Sequence, residues 1–260
     1  MARSSDPEPI LEARGVVKRF YYYAHRTNTL REWFIRAVLR QPLEVKSREF
    51  ILRGFDLRVE RGETVGLIGP NGSGKSTALR LLAGIYVPNE GSIVVNGRVT
   101  AVIELGAGFH EDLTGAENML LYGSVMGMTP REMQEKGPEI VEFAGLGDFI
   151  DTPVRYYSSG MQARLAFAVA MSVRPDLILL DEVMAVGDET FKERCRIALE
   201  EFRRAGGTIV VASHDLDSVR SLCDRVVWME RGTIRTVGPA ADVVDRYWAE
   251  VAGQLAGVAE

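Results

Sequence analysis

The sequence predicts an α/β fold in which a helical lobe interrupts alternating strands and helices. Strand-like segments rich in β-branched residues recur, and several are apolar throughout, as strands covered on both faces are. These segments are TVGLIG (64–69), SIVVNG (92–97), VTAVIEL (99–105), DLILLD (176–181), TIVVAS (208–213) and RVVWME (225–230). Between about residues 110 and 172 helical sequence dominates instead.

Two helix starts are marked by capping boxes. TGAE (114–117) and TPRE (129–132) each place a threonine at the N-cap and a glutamate three residues later. Pro130 would take the favoured first position of its helix. Helices are therefore expected to begin directly after Thr114 and Thr129.

Composition excludes several classes of function. A net charge of −5 argues against wholesale nucleic-acid binding. The start, MARSSDPEPI, lacks the apolar core of a signal peptide, and the longest charge-free run, residues 118–130, is too short to span a bilayer. Cys195 and Cys223 have no metal-ligand spacing, which predicts reduced structural residues in a cytosolic protein.

The strongest local motif is GPNGSGKST, which follows the strand TVGLI and matches the phosphate-loop pattern G-x-x-x-x-G-K-[ST]. Its glycines let backbone N–H groups surround phosphate oxygens, Lys75 would contact the β- and γ-phosphates, and Ser76 would ligate Mg²⁺. The predicted phosphate-binding residues are Gly69, Pro70, Asn71, Gly72, Ser73, Gly74, Lys75, Ser76 and Thr77.

A second motif, LILLDE (177–182), is a buried strand that ends in two acids. Asp181 at its tip is predicted to hold Mg²⁺, and Glu182 to orient or deprotonate the attacking water. A third, YSSGM (157–161), places Ser158, Ser159 and Gly160 before an apolar helix, which makes an N-terminus suited to anions. We call residues 157–161 the signature segment.

Together these motifs strongly resemble the nucleotide-binding subunit of ATP-binding cassette transporters, over roughly residues 10–248. The resemblance implies a phosphate-loop NTPase fold with a RecA-like core, an antiparallel β subdomain and an inserted helical subdomain at about 110–172. It implies one cassette domain over residues 1–248 and a C-terminal tail over 249–260. It also implies ATP and Mg²⁺ as ligands.

The same resemblance assigns roles across a dimer. Ser159 and Gly160 of one subunit would contact the γ-phosphate of ATP held by the phosphate loop of a second copy. AVGD (185–188) stands where the family has its D-loop, so Asp188 would act at the dimer interface. VASHD (211–215) fits the family's switch histidine, which makes His214 a further contact to the γ-phosphate.

One departure from the family pattern indicates which subfamily the sequence resembles. The family carries a glutamine between the phosphate loop and the helical lobe, but no glutamine occurs between Lys75 and Gln134. The sequence there is IELGAGFHEDLTGAEN (103–118), in which His110 or Glu111 would stand near the place of the missing glutamine. This stretch, YSSGM and LLDEVMAVGDETFKERC (179–195) resemble exporters of lipid-linked polysaccharides such as O-antigen and teichoic acid.

Adenine needs a flat apolar partner, and the family supplies an aromatic residue that follows a strand. VVKRF (16–20) matches this pattern, so Phe20 is the first candidate, with Tyr22 or Tyr23 as the alternative.

An amphipathic helix is predicted at about residues 26–42, within a connection longer than a compact cassette needs. Its apolar positions follow helical spacing, four arginines surround them, and Pro42 stops it. The apolar positions are Leu30, Trp33, Phe34, Ala37 and Val38, and the arginines are Arg26, Arg31, Arg36 and Arg40. Three placements stay open for it: packing on its own domain, contact with the membrane interface, and docking to a membrane subunit.

The expected function is that of an ATPase at the cytoplasmic face of a bacterial inner membrane. Two copies would work beneath two copies of a permease and export a lipid-linked cell-envelope polysaccharide of O-antigen, teichoic acid, galactan or capsule type. The alternative is a cassette subunit for another substrate, such as a small solute or lipid. A cassette protein acting on DNA or ribosomes would usually carry two cassettes or a coiled-coil insertion, and neither is present in this sequence.

Overall fold

The computed structural model describes residues 8–23, 46–103, 105–106, 108–181 and 188–256. Nine strands are named in this part of the chain: β1 Leu11–Tyr23, β2 Lys46–Val59, β3 Thr64–Ile68, β4 Glu90–Val95, β5 Val99–Val102, β6 Leu177–Asp181, β7 Thr208–Ala212, β8 Arg225–Glu230 and β9 Thr233–Pro239.

The α-helices alternate with these strands or lie in the insert between β5 and β6. They are α1 Lys75–Leu82, α2 Gly115–Val125, α3 Pro130–Ala144, α4 Ser159–Ser172, α5 Glu189–Arg204, α6 Leu216–Leu222 and α7 Ala240–Ala256. Two 3₁₀ turns, Gly147–Asp151 and Val154–Tyr156, connect α3 to α4.

The larger sheet has the strand order β5-β6-β7-β3-β8-β9, parallel except for the antiparallel edge strand β9. In its register Leu67 of β3 and Asp181 of β6 both pair with Ala212 of β7. Since parallel strands end at the same edge of a sheet, the segments that follow β3, β6 and β7 emerge side by side. Ligands of open α/β sheets bind at this edge.

A smaller antiparallel sheet, in the order β2-β1-β4, packs beside the first. Its apolar residues join α1 and one face of the parallel sheet in one core, where Leu177 and Leu179 lie. The neighbouring residues Ile178 and Leu180 face the opposite side, among α4, α5, α6 and α7. Both faces of β6 are therefore covered, which explains its continuously apolar sequence.

The insert between β5 and β6 forms a helical lobe with a core of its own, built from α2, α3, α4 and the 3₁₀ turns. Both predicted capping boxes are present: Thr114 caps α2 with Glu117, and Thr129 caps α3 with Glu132. Pro130 takes the first turn of α3, as predicted.

The structure differs from the sequence-based expectation at both ends. Strand β1 continues to Tyr23, so Phe20 lies within the strand and does not follow it, because β2 pairs with β1 along its full length. Helix α7 continues to Ala256 and removes most of the tail predicted for residues 249–260. Its Glu250 pairs with Arg235 of β9, which supports the helix beyond residue 248. The helix predicted at 26–42 lies outside the described residues.

Candidate ATP site

The phosphate loop turns through backbone conformations that favour glycine. Gly69 has a φ of 143° and Gly74 a φ of 104°. A Cβ on Gly69 would lie 2.1 Å from the carbonyl oxygen of Met229, and one on Gly74 would lie 2.9 Å from Leu52 Cδ2. The loop therefore fits tightly between β2 and β8, and side chains at these two positions would displace it.

Lys75 begins α1 and is almost fully buried, with 7% of its surface exposed. Its Nζ donates hydrogen bonds to the carbonyl oxygens of Gly69 at 2.8 Å and Pro70 at 3.3 Å. The ammonium group thus lies against the phosphate loop, close to where the phosphates of ATP are predicted to bind. Ser73 Oγ is also buried, and it has no hydrogen-bond partner among the described residues. An orphaned hydroxyl here fits a loop that is completed by phosphate oxygens.

Ser76 and Asp181 meet at the edge of the parallel sheet. The Ser76 hydroxyl, one residue into α1, donates a hydrogen bond of 3.1 Å to Asp181 Oδ1 at the end of β6. A hydroxyl and a carboxylate are the hard oxygen ligands that Mg²⁺ prefers, so this pair fits the predicted metal. Glu182, the predicted general base, lies outside the described residues. Among the residues described, no group of three or more His, Cys, Asp or Glu side chains offers another metal site.

His214 is exposed and lies two residues after the end of β7, on the same edge as the phosphate loop and Asp181. Asp215, the next residue, caps α6 by accepting hydrogen bonds from Ser218. The Ser218 hydroxyl is the main cause that lowers the pKa of Asp215, and the nearby charge of His214 contributes less. This cap fixes the turn on which His214 stands.

The signature segment begins α4. Ser158 is the N-cap and accepts a hydrogen bond of 3.2 Å from the Met161 amide. Ser158 and Ser159 are exposed, whereas Gly160 is half-buried. The small side chains leave the first turn of the helix open to solvent, as an anion contact supplied to another molecule requires.

Asp188 caps α5 by accepting a 2.9 Å hydrogen bond from the Phe191 amide. Its other carboxylate oxygen lies 3.8 Å from the Arg164 guanidinium on α4. The structure thus joins the predicted interface residue to the helix that the signature segment begins. Residues 185–187 lie outside the described residues.

Phe20 is half-buried on β1, where its ring meets the edge of Tyr86 at a centroid distance of 5.4 Å. The Lys18 Nζ lies 5.1 Å from the centroid of the Phe20 ring. The ring therefore already has an aromatic and a cationic neighbour. The side chains of the alternatives, Tyr22 and Tyr23, lie outside the described residues.

Helix α2 contains a residue, Asn118, that holds the loop between β5 and α2 and that the sequence analysis missed. Asn118 is fully buried, and its Nδ2 donates to the carbonyl oxygens of His110, Leu113 and Thr114, each at 3.0 Å. Its Oδ1 accepts from the His110 amide at 2.7 Å. The position of Asn118 among apolar residues of a predicted helix could have indicated that its side chain is buried and hydrogen-bonded to the backbone. His110 and Glu111 themselves are exposed.

A glutamine on α4 lies beside the loop between β5 and α2, where the sequence did not suggest one. Gln134 is exposed on α3, as helical sequence predicted. Gln162, one turn into α4, instead lies beside Gly106: a Cβ there would be 3.8 Å from Gln162 Oε1. The loop after β5 thus passes close to α4 at Gly106.

The two cysteines are free and buried, as expected of structural residues. Burial raises the pKa of both Cys195 and Cys223 to about 12, so neither thiol is a thiolate near neutral pH. In the part of the chain that the structure describes, no helix is both long and apolar enough to cross a bilayer.

Known proteins resemble this chain over most of its length. The family model described as ABC transporter matches residues 52–185. The O-antigen export system ATP-binding protein RfbB of Klebsiella pneumoniae is 40% identical over 241 residues, which cover 92% of this chain and 98% of that protein. The protein of the same name from Myxococcus xanthus is 49% identical over 75% of this chain, which spans 45% of that longer protein. The teichoic acids export ATP-binding protein TagH of Listeria innocua is 41% identical over 90% of this chain and 68% of its own length.

Solved structures share the fold. A dimeric ATP-binding cassette in a post-hydrolysis state, bound to ADP and Pi, superposes with a TM-score of 0.71 at 21% identity, covering 88% of this chain and 98% of that one. The ATP-binding subunit of an ABC transporter gives a TM-score of 0.72 at 22% identity, covering 92% and 93% of the two chains. The chain belongs to the ABC transporter family, as one of its ATP-binding, ATP-hydrolysing subunits.

Proposed function

We propose that this chain is the motor subunit of an exporter that moves a lipid-linked cell-envelope polysaccharide across the cytoplasmic membrane. The names of its relatives, which concern O-antigen and teichoic acid export, support this substrate class. The stretch 103–118, which departs from the general cassette pattern, supports it independently.

The single observation that carries the ATPase chemistry is the contact between Ser76 Oγ and Asp181 Oδ1. These two oxygens would hold Mg²⁺, which neutralises developing charge on the phosphates. Lys75 lies one residue before Ser76 and would move from the loop carbonyls to the β- and γ-phosphates. The chain thus supplies a cation, a metal site and a glycine loop at one place.

Hydrolysis needs an activated water and a second copy of the chain. Glu182 follows Asp181 and serves as general base, while His214 contacts the γ-phosphate from the end of β7. Ser158, Ser159 and Gly160 of the second copy complete the site in trans, with Asp188 at the interface. The open first turn of α4 supports this role, since exposed N–H groups at a helix start attract phosphate.

Phe20 stacks on adenine in this proposal. The edge contact with Tyr86 and the neighbouring Lys18 hold the ring in place, which supports a stacking role. Residues 1–248 act as one cassette domain, with the helical lobe at about 110–172 as its subdomain.

The partners are two copies of an integral permease, with the cassette dimer bound peripherally at the cytoplasmic face of the membrane. The exposed apolar residues on the helical lobe, which support docking of a protein partner, are Leu120, Leu121, Val125 and Phe149. Nucleic acid has no part in this function.

Glu182→Gln tests the catalytic assignment. The amide cannot take the proton of water, so we expect turnover to fall by about 10²- to 10³-fold while ATP still binds and holds a dimer together. Phosphate release and size-exclusion chromatography with ATP measure the two effects. Glu135→Gln, an exposed change on α3, is the control. Unchanged hydrolysis in Glu182→Gln would remove this residue from its role.

A test of the substrate class requires the complex of this chain with its permease. The chain is purified with its permease in nanodiscs, and ATP hydrolysis is measured with lipid-linked polysaccharide, with the lipid carrier alone, and with free glycan. We expect stimulation by the lipid-linked polymer only. Stimulation by DNA or ribosomes, or by a small solute, would contradict the proposal.

A further inference from the structure

Tyr157, the first residue of the signature segment, is buried against the start of α2. Its exposed fraction is 7%, although the adjacent Tyr156 is 70% exposed. A Cβ on Gly115 would lie 2.1 Å from the Tyr157 hydroxyl oxygen and 3.0 Å from Cζ. Gly115 therefore accommodates the tyrosine ring, and the two motifs LTGAEN and YSSGM meet at this contact.

The Tyr157 hydroxyl also has a fixed partner. It donates a 2.6 Å hydrogen bond to the carbonyl oxygen of Phe149, in the turn that precedes the signature segment. Burial raises the pKa of Tyr157, and the negative charge of Asp151 adds to the effect, so the hydroxyl stays protonated and remains a donor.

Backbone hydrogen bonds join the same two stretches. The Val154 amide donates to Leu113 O at 2.9 Å, the Arg155 amide to Glu111 O at 3.0 Å, and the Gly115 amide to Thr152 O at 3.1 Å. An ion pair of 3.0 Å connects Arg155 with Asp112. Residues 110–115 and 149–157 therefore form one connected unit, which we call the loop–signature latch.

The latch is anchored at both ends. Asn118 binds the loop to α2 through three carbonyl oxygens and one amide. At the other end, Ser158 follows Tyr157 directly and caps α4. Because these contacts join residues 110–115 to residues 149–157 and Ser158 follows Tyr157 directly, a displacement of residues 110–114 would be passed toward Ser158 and Ser159.

We propose that Tyr157 is a positioning residue that sets the place of Ser158 and Ser159 and couples them to the loop at residues 110–114. The proposal rests on the trans role of the signature segment given under the proposed function. In this proposal the latch makes the position of Ser158 and Ser159 depend on the position of this loop. These two serines are the residues that would contact the phosphate of ATP bound to a second copy. Tyr157 itself touches neither ATP nor metal.

Tyr157→Phe tests the latch, with Tyr156→Phe as the matched control. Loss of one buried hydrogen bond predicts a fall in kcat of about fivefold to tenfold for Tyr157→Phe. Binding of a fluorescent ATP analogue to the monomer should stay within about twofold, because the phosphate loop is untouched. A merely structural role would lower analogue binding and kcat together, which would overturn the proposal.

The dimer provides a second measurement. In the Glu182→Gln background, Tyr157→Phe should shift dimerisation to about fivefold to tenfold higher ATP concentration, whereas Tyr156→Phe should leave it unchanged. If Glu182→Gln with Tyr157 intact forms no ATP-dependent dimer, the trans assignment fails and the latch fails with it. If that dimer forms and Tyr157→Phe does not change it, the latch alone is wrong.

A suppressor experiment checks the contact itself. Gly115→Ala forces a methyl group into the Tyr157 hydroxyl and should lower the yield of folded protein. Tyr157→Leu removes that hydroxyl and leaves the 3.0 Å contact of the new methyl group with the Ile150 carbonyl oxygen, so Gly115→Ala with Tyr157→Leu should recover part of the folding yield and show the reduced kcat of Tyr157→Phe. A double variant that folds no better than Gly115→Ala alone would contradict the assigned contact.

Discussion

The phosphate loop and the signature segment hold their functional groups by different means. The phosphate loop is fixed by backbone: Gly69 and Gly74 lie against neighbouring strands, and the buried Lys75 bonds to loop carbonyls. Ser158 and Ser159 of the signature segment are exposed, and buried side chains next to them fix their position, chiefly Tyr157 and Asn118. The first site is built into the parallel sheet, whereas the second belongs to the helical lobe.

Because of this difference, mutations in the two regions should have different effects. Changes in the phosphate loop should affect ATP bound by the same subunit, since the described contacts that shape this loop come from β2, β8 and the loop itself. Changes in the lobe should affect what the subunit offers to a second copy. The contact of Arg164 with Asp188 extends the second set of residues to α5, because it joins the signature helix to the cap of that helix.

Lys75→Ala should give the largest effect. Removing a charged donor placed for the transferred phosphate lowers kcat by at least about 10²-fold, and ATP binding weakens as well. The thermal midpoint should change little, because the loop is also fixed by its glycines. Phosphate release and thermal unfolding measure this. Lys192→Ala, which removes a surface ion pair with Glu189, is the control.

Asn118→Ala should have an intermediate effect confined to the lobe. The carbonyls of three residues and one amide lose a buried partner, which predicts a loss of about 2–4 kcal/mol in the free energy of unfolding. Chemical denaturation measures this loss, and the fluorescent analogue measures binding to the phosphate loop. Weakened analogue binding in the folded protein would show that the two regions are not separable.

Two threonine caps should give the smallest and most selective effect. Thr114→Ala and Thr129→Ala each remove an N-cap with the same chemistry, so each should cost about 1 kcal/mol of stability. Of the two threonines, only Thr114 belongs to the loop–signature latch, where it also forms a β-bridge with Pro153. We therefore expect a lower kcat for Thr114→Ala and an unchanged kcat for Thr129→Ala. Equal kcat values for the two variants would argue against selective coupling.

Motifs with a fixed local geometry were predictable from the sequence. The phosphate loop, the strand that ends in Asp181, the helix that Ser158 caps and both capping boxes appear where spacing and residue type placed them. In each case the physical cause lies within a few residues of the motif. The covered strand β6 was equally clear, since it is apolar on both faces.

Contacts between distant segments were not predictable in this way. Tyr157 and Gly115 are separated by the whole of α3, and nothing in the local sequence around either residue indicates that the two are in contact. Strand β1 was expected to end before Phe20, but pairing with β2 extends it to Tyr23. In the same way, packing of Tyr247 against Trp228 and pairing of Glu250 with Arg235 prolong α7 beyond residue 248.

The hydrogen bonds of Asn118 have a consequence for chemical specificity. Its Nδ2 faces three carbonyl oxygens, so the position requires donors rather than a side chain of a given shape. Aspartate has nearly the same size and outline, yet it would direct a negative charge at those three oxygens. A change of one nitrogen to oxygen at this position would therefore turn the attachment of the loop into a repulsion. The helical lobe thus depends on one amide group at the point where the loop meets the helix.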